Sequence, residues 1–337
     1  MSIYIRVDGG DIYGIAMGHV YRCIKMARLL KKTFGIKPIF IMKDYKEGVN
    51  KVSEHSFEVR LIDRNCSIEK DIEITSCQAE GKCLICDVRH FGKNEFEYLK
   101  KKTKPFVVFD DFSNRQIFAD VVINPSIAPR HRHYERSNGT RYFMGPRYFL
   151  TGMVSRPRIA LDKDVKDIIV SLGGSDPARY TEELAKKIHV LCPVYNFTFV
   201  LGPGYGRVSY FRRLLDSLNF SADIIYDVKD LPSLIAKMDL AIVAGGDTCM
   251  EVAYLGVPGM IVPTIKHEEE TAEYLQRRKA LVNLGDIKRK KEEEIIRQIS
   301  NFANDFSKRK IFSENARNMI NNKGSERIAS LLLKVMS

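Results

Sequence analysis

Ala244-Gly245-Gly246-Asp247-Thr248-Cys249-Met250-Glu251-Val252-Ala253-Tyr254-Leu255-Gly256-Val257-Pro258 joins the end of an apolar run, a glycine turn and the start of a helix in one segment. Leu240 to Ala244 is apolar enough for a buried strand, and Gly245-Gly246 lets the backbone turn tightly into a helix beginning near Asp247. Amides at such a helix start, reinforced by the helix dipole, suit a diphosphate, and Thr248 adds a hydroxyl. Glu251 lies one turn further on, where a carboxylate can accept hydrogen bonds from two ribose hydroxyls. Glycines that serve only chain reversal would give the same local pattern.

Working outward, short apolar runs alternate with amphipathic stretches, the pattern of parallel sheets covered by helices, so the fold class is α/β. In the first half strands are expected at 3–8, 38–42, 59–62, 84–88, 106–110 and 121–123, with helices at 20–33 and 94–101. The second half repeats the rhythm with strands at 167–172, 196–201, 223–226, 240–244, 259–262 and 281–284. Its helices are expected at 180–190, 209–217, 231–237, 249–255 and 268–278, followed by a helical tail over 292–306, 309–321 and 326–335. Pro157 and a mixed-charge run mark Thr151–Lys166 as a connector. Two Rossmann-like domains are therefore expected: 1–155 with a histidine loop, and 156–337, nucleotide-binding and carrying the helical tail. Open parallel sheets bind ligands at the carboxyl ends of their strands, so the active site is expected in a cleft between the halves.

The chain has 337 residues, 45% of them apolar, enough for two cores. No apolar run approaches the roughly 18 residues of a membrane span, and the N-terminus enters the strand-like Ile3-Tyr4-Ile5-Arg6-Val7 directly, so a cytoplasmic protein is expected. The 54 basic against 42 acidic residues give a net charge of +12, which attracts anions of any kind. Nucleic acid is not expected as a partner, because no helix-turn-helix, RNA-binding aromatic signature or zinc-finger spacing accompanies the charge. Peripheral contact with an anionic membrane stays open, and a monomer or weak dimer is expected. Seven cysteines in a chain without an export signal imply free thiols. Cys83-Leu84-Ile85-Cys86, with Cys66 and Cys77 before it, has the spacing of half a zinc site, but it reads as a buried strand and no second close pair completes the pattern. Neither metal nor cofactor is expected.

Four further segments place polar residues at strand ends. Asp8-Gly9-Gly10-Asp11 leads through Gly14 to Met17-Gly18-His19-Val20-Tyr21-Arg22-Cys23, delivering His19 to a helix start. The dipole there disfavours imidazolium, which keeps neutral His19 available as a general base, unless the ring merely caps the helix or packs on the loop. Asp110-Asp111 ends a strand and Asn124-Pro125 follows another; one acid can hold the His19 loop or contact a sugar, or both can be turn caps. Gly173-Gly174-Ser175-Asp176 is a second glycine turn able to approach a phosphate or sugar. His267-Glu268, after Pro263, can bind sugar hydroxyls or favour a helix start.

Taken in order, Gly18-His19-Val20-Tyr21-Arg22-Cys23, Asp110-Asp111, Asn124-Pro125, Gly145-Pro146-Arg147-Tyr148-Phe149-Leu150, Ser171-Leu172-Gly173-Gly174-Ser175-Asp176 and Gly245-Gly246-Asp247-Thr248 with Glu251 resemble a known family over nearly the whole chain. It is that of the UDP-sugar hydrolase of the pseudaminic acid pathway and the related spore-coat polysaccharide biosynthesis proteins, similar in turn to the peptidoglycan N-acetylglucosaminyltransferase. The resemblance implies a GT-B fold and a UDP-sugar substrate carrying a deoxy or amino sugar, in surface-polysaccharide or nonulosonic acid biosynthesis. It implies His19 as the base acting on water. It also implies Gly246, Asp247, Thr248 and Glu251, in a loop with Gly245, as holders of the diphosphate and ribose, and backbone of Asp227-Val228, near Leu231, as the uracil contact. Asp8, Arg22, Asp110, Asn124, His267 and Glu268 are the candidates for contacting or orienting the sugar, with Gly174 and Ser175 added to the nucleotide set. His267-Glu268 departs from the Asn-Gln of the family's hydrolases. A glycosyltransferase, in which His19 deprotonates an acceptor hydroxyl, and a noncatalytic sugar-nucleotide-binding protein are the alternatives.

Overall fold

A computed structural model describes residues 2–10, 17–111, 113–128, 133–151, 156, 160–321 and 323–336. Asp11, Gly14 and Phe112 lie outside the described residues, as do positions 152–155 and 157–159 of the expected connector. The chain forms two compact units: Met1–Gly152 with Lys323–Ser337, and Met153–Asn322.

The first unit is a parallel sheet of β1 (Ile3–Val7), β2 (Ile39–Lys43), β3 (Glu58–Ile62), β4 (Cys83–Asp87), β5 (Phe106–Phe109), β6 (Val121–Asn124) and β7 (Arg141–Met144), ordered β3-β2-β1-β4-β5-β6-β7. Its helices are α1 (Met17–Phe34), α2 (Lys46–Glu54), α3 (Ile68–Gln78) and α4 (Lys93–Lys102). The central strands are buried and mostly apolar because helices cover both faces, with Arg6 of β1 and Asp87 of β4 as the buried charges. Ile3, Ile5 and Val7 pack with Val20, Ile24 and Ala27 of α1, while Tyr4, Leu84 and Val108 pack with Ile72 of α3 and Phe96 and Leu99 of α4. The strand period of two thus sends alternate residues to opposite cores.

The second unit alternates β8 (Asp167–Ser171), α5 (Tyr180–Ile188), β9 (Asn196–Leu201), α6 (Val208–Ser217), β10 (Ala222–Tyr226), α7 (Leu231–Ile235), β11 (Leu240–Ala244), α8 (Asp247–Leu255), β12 (Gly259–Val262), α9 (Lys266–Arg277) and β13 (Val282–Asn283). Two helices follow, α10 (Glu292–Asn304) and α11 (Phe306–Met319). The sheet order is β10-β9-β8-β11-β12-β13, all parallel. In each sheet the strand order reverses once, between β1 and β4 and between β8 and β11, and ligands of open α/β sheets collect at the carboxyl ends of such strands.

The helical tail expected in the second half is divided. The last helix, α12 (Gly324–Met336), returns to the first unit, where Ile328, Leu331 and Leu332 join the α1 core with Tyr148 and Leu150. The Gly145–Leu150 motif receives it: a 3-10 turn over Pro146–Tyr148 follows Gly145 at φ +102°, and Arg327 Nη1 donates to the Arg147 carbonyl at 3.0 Å. No side chain larger than hydrogen fits at Gly324, because a Cβ there would lie 2.1 Å from the Phe149 carbonyl oxygen. The packing of this motif, and not the order of the chain, decides to which unit the tail belongs.

Candidate functional site

In the first unit the site gathers at the carboxyl ends of the adjacent strands β1, β4 and β5. His19 is the third residue of α1, the helix that follows β1, and it is buried. Its Nδ1 lies 2.8 Å from Oδ1 of Asp87, the last residue of β4. Arg22, one turn along α1, donates from Nε to Asp87 Oδ2 at 2.8 Å and from Nη2 to Asp87 Oδ1 at 2.7 Å. Its Nη1 and Nη2 also donate to Asp111, just after β5, at 2.5 and 3.0 Å. Spacing by three residues places His19 and Arg22 on one face of α1, so a single helix presents both to one carboxylate.

Burial alone would push the Asp87 carboxyl up, but Arg22 and then His19 outweigh it and hold it below the usual carboxylate range. Asp111 moves down in the same way, burial opposing and Arg22 prevailing. An ionised carboxylate only accepts, so the Nδ1 proton points to Asp87 and Nε2 carries the lone pair. Arg22 Nη2, 3.1 Å from the same Nδ1, is then a charge neighbour and directs its protons to the two carboxylates. Among the described residues Nε2 has no partner. Two carboxylates and one guanidinium leave one negative charge beside the ring. The geometry leaves Nε2 as the ring nitrogen able to accept a proton.

Three residues expected to contact or orient the sugar are committed elsewhere. Asp8 accepts from Arg6 Nη1 and Nη2 at 2.6 and 2.8 Å and from the Lys43 N–H at 2.7 Å. Arg6 is fully buried and also grips Asp71 of α3 through Nε and Nη2 at 3.0 and 2.7 Å. Asp8, Asp71 and His90 place ligand atoms within 4.8 Å of one another, and the Arg6 guanidinium supplies the cation that such a cluster needs. Asp8 is therefore a fastener of strand ends. Asp110 accepts from the Ser113 N–H at 2.8 Å, Arg115 Nε at 3.1 Å and the Tyr134 hydroxyl at 2.6 Å. Asn124, fully buried, donates to Tyr134 Oη at 2.8 Å and accepts from the Ser126 N–H at 2.8 Å. Sequence reasoning offered Asp110 as the acid that holds the His19 loop; the carboxylate on His19 is Asp87.

The Cys83-Leu84-Ile85-Cys86 pair sits on β4 with the two thiols in opposite cores, Cys83 with Ile85 and Val107, Cys86 with Leu84 and Val108. Three residues apart on a strand, they cannot converge on one ion. Burial pushes both thiols up to about 12.

In the second unit the candidates line the carboxyl ends of β8, β10 and β11. Gly173, at φ +107°, opens the turn after β8. Gly174 abuts Gly202, where a Cβ would lie 2.3 Å from the Gly174 carbonyl oxygen. Partly exposed Ser175 is not the cap of α5; the Asp176 carboxylate accepts from the Tyr180 and Thr181 N–H groups at 2.9 and 2.7 Å. Val228 is partly exposed in the segment after β10.

After β11, exposed Gly246 is the N-cap of α8 and has no side chain to satisfy the helix's first amides, while Asp247 and Thr248 in the first turn are partly exposed. Those amides and the Thr248 hydroxyl are donors suited to an anion; the Asp247 carboxylate, by its charge, is not. Glu251 is buried one turn on. His267 is partly buried in the first turn of α9, but Glu268 is buried, and its Oε2 accepts from the Thr264 N–H and Oγ1 at 2.8 and 2.9 Å.

Residues 168–332 match the glycosyltransferase family 28 C-terminal domain. That match begins in β8, spans the rest of the second unit and runs into α12. The chain is 26% identical over 349 residues to the spore coat polysaccharide biosynthesis protein SpsG of Bacillus subtilis, covering 98% of each. It is also 28% identical over 279 residues to an uncharacterised protein of Methanocaldococcus jannaschii, covering 78% of this chain and 55% of that one, so the chain spans about half the length of that relative. Among solved structures, MurG of Acinetobacter baumannii superposes with a TM-score of 0.67 at 16% identity, covering 99% of this chain and 100% of the other. HepE of Anabaena, in complex with UDP-glucose, superposes at 0.64 and 12% identity, with 99% and 100% covered. The chain is thus a glycosyltransferase-like protein of GT-B fold. Among the described residues no helix is long and apolar enough to cross a membrane.

One group of the first unit escaped the sequence reading of the site. Asp87 was read only as part of an apolar strand; the available signal was a lone acid at the carboxyl end of the strand that neighbours β1. Asp111 was one of the two acids offered after β5, and it is the one that meets Arg22.

Proposed function

We propose that this protein cleaves the anomeric carbon–oxygen bond of a UDP-linked deoxy or amino sugar and releases UDP, with water as the acceptor. The observation that carries this reading is the His19–Asp87 pair, which orients Nε2 as a base. In the step, Nε2 takes a proton from water as its oxygen bonds to the anomeric carbon. The bond from that carbon to the β-phosphate oxygen breaks, and its electron pair leaves with UDP. Arg22 and Asp87 hold the ring in the tautomer that makes Nε2 the base, and the ion pair stabilises the imidazolium that forms. The amides of α8 and the Thr248 hydroxyl meet the charge developing on the leaving diphosphate, Gly174 and Ser175 border it, Glu251 receives the ribose, and backbone at Val228 receives the uracil. HepE is named in complex with UDP-glucose and SpsG for spore coat polysaccharide biosynthesis, which supports a sugar nucleotide as ligand and surface polysaccharide as the setting.

The family 28 match favours a second reading on equal terms, in which His19 deprotonates the hydroxyl of an acceptor and the sugar is transferred. Release of UDP from a panel of UDP-sugars, with and without acceptors, separates the two. Release without acceptor supports hydrolysis; release only with acceptor supports transfer; binding without release makes the protein a sugar-nucleotide carrier and ends both.

A further inference from the structure

Glu268 was a candidate sugar ligand, yet its surroundings give it another task. It lies in the first turn of α9, with its carboxylate turned back toward the end of β11 rather than outward. Its Oε2 takes both donors of Thr264, and its backbone and stem fill the space over Gly245. A Cβ on Gly245 would lie 2.6 Å from Glu268 Cβ and 3.1 Å from its carbonyl oxygen, and one on Gly246 would lie 3.5 Å from Oε1. Burial raises the carboxyl above its ordinary range, and the N–H groups of Thr264, Gly245 and Ile265 pull the other way. A buried carboxylate is retained where its hydrogen bonds fix something, and what this one touches is the turn that launches α8.

We infer that Glu268 is the positioning residue of the Gly245–Gly246 turn: it ties the start of α9 to the end of β11 and so fixes the direction of the first amides of α8. This rests on the reading of those amides as the diphosphate site. A side chain that acts through the turn affects any ligand with a diphosphate and spares one without it, whereas a sugar ligand affects only the sugar-bearing nucleotide.

The test compares UDP, uridine and a UDP-sugar on three proteins. These are the wild type, Glu268→Asp, which keeps the charge but loses one methylene of reach, and Thr264→Val, which removes only the hydroxyl donor. For Glu268→Asp, calorimetry should show UDP and UDP-sugar weakened together, roughly 10-fold, as for the loss of a charge-assisted hydrogen bond. NMR titration should show uridine within about 2-fold of wild type, the margin expected when a group that uridine lacks is the one affected. Thr264→Val should shift UDP in the same direction by less. Wild-type UDP affinity in Glu268→Asp overturns the inference, as does an equal loss for UDP and uridine, or a loss confined to the UDP-sugar. A wild type that binds UDP no better than uridine overturns the diphosphate reading itself, a different result from any of these.

Discussion

Asp87 at the end of β4 stands 2.8 Å from His19 Nδ1 at the start of α1, two residues 68 apart in sequence joined because their strands are neighbours in the sheet. The contact fixes which ring nitrogen is the base. Asp87→Asn should therefore lower turnover by roughly 100-fold, the usual worth of a positioned base, while UDP affinity stays within about 3-fold, since the substitution acts on the base and not on the nucleotide. Asp110→Asn is the contrast. Its partners Ser113, Arg115 and Tyr134 are structural, so thermal stability should fall and turnover per folded molecule should hold. The reverse outcome in this pair of variants would move the supporting acid from Asp87 to Asp110.

Asp71 tests the fastening of the first unit. It is fully buried, and although burial pushes its carboxyl up, His90 and Arg6 hold it well below the ordinary range. A depressed folded value stabilises the protein above the unfolded value, about 3.9, and that stability is lost as pH falls through the folded value. Asp71→Asn should cost about 3–5 kcal/mol at neutral pH, as does removing one partner of a buried pair. It should also flatten the fall in stability below about pH 4. Denaturant melts of both proteins across pH 2–7 check this; parallel acid limbs would remove Asp71 from the account.

Much of the fold was legible because buried parallel strands announce themselves. The strands β9, β11 and β12 have the expected bounds, and most others agree to within one or two residues. What was missed lacked that signature. β7 is four residues of half-exposed Arg-Tyr-Phe-Met, and α2 offers only Val49 and Val52 as an apolar stripe. The run of α3, Ile-Glu-Lys-Asp-Ile-Glu-Ile-Thr-Ser-Cys-Gln, is rich in β-branched residues that favour strands in isolation, and the packing of Ile72 overrides that preference. The candidate site could be named from sequence at its glycine turns and at His19, where the pattern is local. It was not legible at Asp87 or in the commitments of Asp8 and Asn124, since those depend on which strands lie side by side. Nor does order along the chain show that α12 crosses back to the first unit.

Gly202 tests the turn at Gly174. A methyl group there would meet the backbone carbonyl of Gly174 at 2.3 Å, and backbone cannot yield as a side chain can. Gly202→Ala should cost about 1–3 kcal/mol, the usual range for overpacking, and UDP affinity should fall with it. Stability and affinity both at wild-type level would mean that the Gly173–Ser175 turn neither packs nor binds as described.

Glu251→Ala tests the nucleotide half. A carboxylate bridging two ribose hydroxyls contributes about 1.5–3 kcal/mol, so UDP should bind roughly 10-fold to 150-fold more weakly. The variant should also discriminate less between UDP and its deoxyribose analogue, with His19 variants unchanged in that respect. Calorimetry with both ligands decides it; equal UDP affinities for wild type and Glu251→Ala would remove the ribose contact.

The central claim, that His19 is the base of a sugar-nucleotide enzyme, is met most directly by one comparison: UDP release from the best UDP-sugar by wild type and by His19→Ala, with UDP affinity measured on both. The expected result is turnover down by roughly 100-fold or more with UDP affinity nearly unchanged, because the ring acts on the nucleophile and leaves ground-state binding of the nucleotide alone. Turnover of His19→Ala equal to wild type, or loss of UDP binding in step with activity, would contradict it.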